Sequence, residues 1–134
     1  MTIPDGMLGM RHVALFVQDI DTCLHFYTEV LGMKLEWKPD PDNYYLTSGS
    51  DNLALHRAAQ SDVPSGPQRL DHIGFIIKTS TAVDAWHDHF VQHGVKILQL
   101  PKTHRDGARS FYCEDPAGTV IQIIYHPPIS DQSN

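Results

Sequence analysis

The sequence predicts an α+β fold made of two tandem βαβββ modules, and three observations carry that prediction. Residues 11–17, RHVALFV, recur as residues 71–77, DHIGFII. Each is a charged residue, a histidine and a mostly apolar run of strand length, and such a fixed repeat is read before any local pattern. Each copy is followed by a segment with helical period and then by three short strand-like runs. Between the halves, RAAQSDVPSGPQR carries two prolines and a glycine and has no apolar period, so it reads as a linker. The modules are placed at residues 8–57 and 70–127, with the linker at 58–69.

Each element has a local reason. The first helix, roughly 20–31, brings Leu24, Tyr27, Val30 and Leu31 to one face. Asp19 or Asp21 caps its start, and Gly32 stands where a left-handed stop belongs. The second helix, roughly 80–92, groups Val83, Trp86, Phe90 and Val91, with Ser80 or Thr81 as cap and Gly94 as stop. The strand runs then match pairwise: MKLEW with VKIL, NYYLT with RSFYC, and NLALH with TVIQII. Residues 98–108, around Pro101, His104 and Gly107, read as a loop over a site. The polar tail after Pro127 reads as frayed. One helix covers one face of four strands, so the other face needs a partner sheet. Two such sheets paired would enclose a cleft, within one chain or between two.

Composition narrows the function. The 134 residues suffice for one core without cross-links. Lys and Arg total 10 against 16 Asp and Glu, a net charge of −6 with no basic run, so neither nucleic acid nor an anionic membrane is expected as partner. The N-terminus reads without the apolar core of a secretory signal, so the cytoplasm is the expected compartment. Two cysteines, Cys23 in a helix and Cys113 in a strand, read as core residues.

Histidine is the unusual entry in the composition, with nine copies. Strand alternation puts His12, Ala14 and Phe16 on one face and Val13, Leu15 and Val17 on the other. In the second half, His72, Gly74 and Ile76 oppose Ile73, Phe75 and Ile77. The aliphatic sets pack on the helices, which leaves His12 and His72 on the cleft side at equivalent repeat positions. Imidazole is the commonest metal ligand, and such a pair makes half a site. In the last strand, Gln122 is a lone polar side chain among Val120, Ile121, Ile123 and Ile124. It reads either as a buried amide or as an oxygen ligand. Its first-half counterpart is His56 without a gap and Ala54 with a two-residue gap. Arg105 and Arg109 flank a loop and suit a carboxylate or phosphate. His25, His87, His89 and His93 fall on polar helix faces.

RHVALFVQD, FYTEVLGMKL, LDHIGF and SFYCEDPAGTVIQ together resemble the vicinal oxygen chelate superfamily, the glyoxalase/bleomycin-resistance/dioxygenase group, over residues 10–126. The resemblance implies the paired βαβββ fold with a divalent metal (zinc, nickel, manganese or iron(II)) held by the first and last strands of each module. By position the ligands are His12, His72 and Gln122, with Ala54 or His56 in the fourth place. The family usually has glutamate where Gln122 stands. The implied function is a metal-dependent enzyme that chelates a small substrate through vicinal oxygens.

Three chemistries follow from the resemblance. Isomerase or lyase chemistry would need His56 as base, because an amide cannot abstract a proton. Ring-cleaving dioxygenase chemistry would give catalytic roles to His104 and Tyr112. Thiol transfer, as in fosfomycin resistance, would turn Ser110 and Tyr112 toward the substrate, with Arg109 and Arg105 as further contacts. The alternative is a metal-free small-molecule-binding or resistance protein using the same cleft. A homodimer is expected in either case.

Overall fold

The fold comes from a computed structural model that describes residues 3–6, 8–59 and 70–132. Most of the expected linker therefore lies outside the described residues. The chain divides into two compact units, Met1–Val63 and Pro64–Asn134. Each holds one four-stranded mixed sheet and a principal helix, the α+β architecture of two βαβββ modules.

In the first unit the order is β1 (His12–Val17), α1 (Ile20–His25), a π-helical turn (Phe26–Val30), β2 (Lys34–Asp40), β3 (Asn43–Thr47) and β4 (Asn52–Arg57). The sheet runs β1-β4-β3-β2, with β1 parallel to β4 and the other pairs antiparallel. A parallel pair cannot be closed by a tight turn, so helix and hairpin together form the crossover. Asp19 caps α1 by accepting from the Thr22 amide at 3.2 Å.

The expected continuous helix is instead widened after His25. The Leu31 amide reaches back five residues to the Phe26 carbonyl at 2.9 Å, the spacing of a π turn. Phe26 and Tyr27, neighbours in sequence, are thereby both buried, edge to face at 4.9 Å. The buried face is Ile20, Cys23, Phe26, Tyr27 and Val30, while Leu24 and Leu31 stay half-buried. Leu15, Val17, Leu46, Leu53 and Leu55 complete this core.

The second unit repeats the plan with β5 (Ile73–Ile76), α2 (Ser80–Gln92), β6 (Lys96–Thr103), β7 (Arg109–Glu114) and β8 (Val120–Tyr125), ordered β5-β8-β7-β6. Thr79 caps α2 through the Ala82 amide. Val83 and Phe90 are fully buried, and Phe90 meets Phe111 edge to face at 5.8 Å. Val91, expected on the apolar face, is exposed. His87, expected on the polar face, is half-buried with its ring edge-on to Phe111 at 5.5 Å.

The C-terminal tail is also more ordered than its composition suggests. Pro127–Ser130 forms a short helix, α3, and the Ser130 hydroxyl donates to the Ile77 carbonyl at 2.7 Å. No helix among the described residues is long and apolar enough to cross a membrane.

Both cysteines are buried. Burial pushes the Cys113 thiol up to about 12, with Asp115 and Glu114 adding to the shift. A thiol-specific reagent at pH 8 should therefore label neither cysteine in the native protein and both in denaturant. Rapid native labelling of Cys113, followed by peptide mapping, would contradict this packing. Truncating the aromatic contact with Phe111→Ala should cost about 3–5 kcal/mol in urea unfolding.

Candidate functional site

The alternation expected of the strands is realised in both sheets. In β1 the side chains of Leu15 and Val17 are buried on the helix side, while His12, Ala14 and Phe16 stand on the opposite, open face. In β7 and β8, Phe111, Cys113, Ile121 and Ile123 are buried among themselves and α2. Ser110, Tyr112, Gln122 and Ile124 therefore share the open face.

On the open face of the second unit, β5 and β8 pair in parallel with Gly74 opposite Gln122, and β7 pairs with β8 with Tyr112 opposite Gln122. His72 lies two residues before Gly74, about 7 Å along the strand from the level of Gln122. Its Nδ1 lies 2.6 Å from Asp71 Oδ2. A carboxylate only accepts, so Nδ1 carries the proton and Nε2 keeps its lone pair, the arrangement that prepares an imidazole for a metal. The Tyr112 ring stands edge-on to His72 at 5.3 Å.

Gln122 Nε2 donates to Ser110 Oγ at 3.2 Å, and Ser110 Oγ lies 3.1 Å from His104 Nε2. The Gln122 carbonyl oxygen lies above Gly74, where an added Cβ would come to 3.8 Å. That is ordinary van der Waals contact, so the oxygen lies directly over the glycine without strain.

On the open face of the first unit, His12 Nδ1 bonds to Asn52 Oδ1 at 2.8 Å, and Asn52 Nδ2 donates to Glu36 Oε1 at 3.1 Å. His12 Nε2 is thus also left as the lone-pair nitrogen. The parallel register decides between the two counterparts of Gln122. Ala14 faces Ala54 as Gly74 faces Gln122, so the counterpart is Ala54.

His56 faces Phe16 instead, four residues beyond the level of His12, or about 13 Å along the strand. Two imidazoles sharing one ion need their nitrogens within about 4 Å of each other, given metal–nitrogen bonds near 2.1 Å. That spacing does not bring His12 and His56 to one ion. His56 is held by Asn43 Oδ1 at 2.6 Å from its Nδ1, between the rings of Phe16 and Tyr45, each 5.9 Å away. Trp37 stacks on Tyr45 at 5.0 Å.

The two arginines separate. Arg109 has the parity of Phe111, on the helix side of the sheet. It clamps Asp84 of α2 with Nε to Oδ2 at 2.9 Å and Nη2 to Oδ1 at 2.7 Å, and Nη1 donates to Thr103. The geometry makes Arg109 a tie between sheet and helix, on the face opposite Gln122. Arg105 sits in the β6–β7 turn, where Lys102, Thr103, His104, Arg105 and Asp106 line an open concavity of about 640 Å³.

The partners that hold the histidines, Asp71, Asn52 and Asn43, were not legible beforehand. Only Asp71 had a signal, its adjacency to His72. Among the described residues no group of three or more His, Cys, Asp or Glu forms a metal cluster within either unit.

The Arg109 guanidinium holds the Asp84 carboxyl below its ordinary 3.8. A carboxyl whose pKa is lowered by folding stabilises the native state above its unfolded value and loses that contribution as pH falls through the lowered one. Asp84→Asn should therefore weaken the protein at pH 7 by about 1 kcal/mol or less, since the pair is partly exposed. The deficit should shrink below about pH 4. Urea midpoints at pH 7 and pH 3 measure it, and a deficit unchanged between them would contradict the ion pair.

Residues 9–123 match the family described as Glyoxalase/Bleomycin resistance protein/Dioxygenase superfamily. A virulence protein of Salmonella typhimurium is 32% identical over 121 residues, covering 84% of this chain and 80% of its own. A 3-methylcatechol 2,3-dioxygenase of Pseudomonas putida is 27% identical over 125 residues; the match covers 87% of this chain but only 42% of the dioxygenase. Among solved structures, a lactoylglutathione lyase from Agrobacterium tumefaciens superposes with a TM-score of 0.75 over 93% of this chain and 98% of its own, at 21% identity. At that identity the likeness speaks for the fold.

Proposed function

Because the chain belongs to the glyoxalase/bleomycin resistance protein/dioxygenase superfamily, we propose that it is a metal-dependent enzyme acting on a small substrate through two adjacent oxygens. The observation that carries this reading is the preset state of the donor atoms. Asp71 and Asn52 occupy Nδ1 of His72 and His12, and Ser110 occupies the amide nitrogen of Gln122. The atoms left over, two imidazole Nε2 and one amide oxygen, are those a divalent ion takes. The ligands proposed for that ion are His12, His72 and Gln122. A neutral nitrogen-rich set suits zinc or nickel better than manganese or iron(II). When bound, the metal supplies Lewis-acid stabilisation of negative charge developing on substrate oxygens.

The chain's own groups have separate tasks. Tyr112, opposite Gln122 in register and edge-on to His72, offers its hydroxyl to the substrate. His56, excluded from the ligand set by its distance from His12, is the proton acceptor: Asn43 fixes its Nδ1–H and leaves Nε2 basic. His104 and Ser110 stand behind Gln122, and Arg105, which with Lys102 lines the concavity, is a cation available to an acidic substrate. Arg109 is omitted because it lies on the opposite face of the sheet, tied to Asp84 and Thr103. Phe16 and Trp37, 75% and 58% exposed on an open sheet face, favour a homodimer that covers them. The protein is placed in the cytoplasm, where buried thiols are ordinary.

Elemental analysis of untagged protein should find about one divalent ion per chain. His72→Ala should lose it, Asp71→Asn should weaken it by about 10–100-fold, and Gln122→Glu should tighten it by adding a charge. If the wild-type protein takes up no zinc, nickel, manganese or iron(II), the enzyme reading falls. A metal-free small-molecule binder then takes its place.

A further inference from the structure

We infer that Ser110, backed by His104, is the positioning residue that fixes the Gln122 amide with its oxygen toward the open face. A carboxamide offers an acceptor at one end and a donor at the other, and only the acceptor end serves as a ligand. On an exposed face the two ends would interchange freely. Here the nitrogen is engaged by a hydroxyl that is itself 2% exposed, and the oxygen is left above Gly74.

The direction of the relay follows from satisfying that hydroxyl. Ser110 Oγ accepts the amide proton, so its own hydrogen needs an acceptor, and a buried hydroxyl hydrogen without one is costly. His104 Nε2, at 3.1 Å, is the acceptor within reach. His104 is thereby assigned the Nδ1–H tautomer, and the chain reads Gln122 N–H to Ser110 O–H to His104 Nε2. Among the described residues, no buried side-chain nitrogen or oxygen lacks a partner.

A carboxylate at residue 122 would reverse every bond. It can only accept, so Ser110 would turn its hydrogen to the carboxylate, and His104 would have to supply an Nε2–H. The tautomer of His104 therefore reports the chemistry at residue 122. The consequence for metal binding rests on the function proposed above, whereas the orientation of the amide does not.

The test uses the metal-free, ¹⁵N-labelled full chain at pH 8. The Gln122 side-chain amide, identified by its loss in Gln122→Ala, should exchange slowly with water, and His104 should show a protonated Nδ1. Ser110→Ala should give the Gln122 amide the shifts and fast exchange of a solvent-exposed glutamine. Ser110→Thr, which keeps the hydroxyl, should restore both signatures. Gln122→Glu should move the His104 proton to Nε2.

Zinc titrated into the same proteins should bind about 10–100-fold more weakly to Ser110→Ala than to wild type. It should bind Ser110→Thr within about threefold of wild type. An amide unchanged by Ser110→Ala, or a His104 tautomer unchanged by Gln122→Glu, overturns the inference even if the alanine variant folds poorly. If wild type binds no zinc but the signatures respond as stated, the orientation stands and the metal reading alone fails.

Discussion

In each module the first strand is hydrogen-bonded in parallel to the fourth, and this pairing sets the geometry of everything on the open face. A parallel ladder needs a long crossover, which the helix and the β2–β3 or β6–β7 hairpin provide. It also sets the start of the first strand beside the start of the last, His12 opposite Asn52 and Ile73 opposite Ile121. The histidine that precedes each apolar run thus comes within two residues of one fixed position on the last strand, Ala54 in one module and Gln122 in the other. A slip of one residue would turn His12 and His72 into the helix-facing core. The burial of Leu15, Val17, Ile121 and Ile123 holds the register against it.

What could be read beforehand was what depends on period alone. The faces of β1 and β5 followed from strict alternation. The repeat itself gave the module order, because a strand, a helix and three strands recur with the same punctuation. Two features were hidden for separate physical reasons. The π turn at Phe26–Val30 depends on burying two adjacent aromatic rings, a packing demand with no helical period. The counterpart of Gln122 depended on strand register, and a gap in a turn cannot be placed from one sequence.

The side of the sheet occupied by Arg109 was legible in principle, since it shares parity with Phe111. A charged residue beside a loop nonetheless invites a functional reading. Its partner Asp84 lies 25 positions away, so the ion pair that explains it leaves no local trace. The same holds for Asn43 and Asn52, whose side chains matter only once strand pairing brings histidines beside them.

The two open faces show how one backbone plan can be put to different uses. Equivalent positions, set by the shared register, are His12 and His72, Ala14 and Gly74, and Tyr45 and Tyr112, all kept in kind. The polar pair on the last two strands has shifted. In the first module it joins Asn43 to His56, directly opposite in register. In the second, Ser110 occupies the place of Asn43, but its partner is Gln122, one pleat nearer the histidine, and Ile124 stands where His56 would be.

That displacement, about 7 Å along the strand, sets the polar group of the second module one pleat nearer its histidine than that of the first. The pleat the first module leaves polar is flanked by Phe16, Tyr45 and Trp37. The equivalent of Phe16 in the second module is the aliphatic Ile76. The second face therefore carries its held polar group near its histidine, whereas the first, beyond His12, sets the His56 ring among aromatic surfaces. Because both rest on the same parallel ladder, neither arrangement requires a change in the fold, only the choice of side chain at alternate residues of three strands.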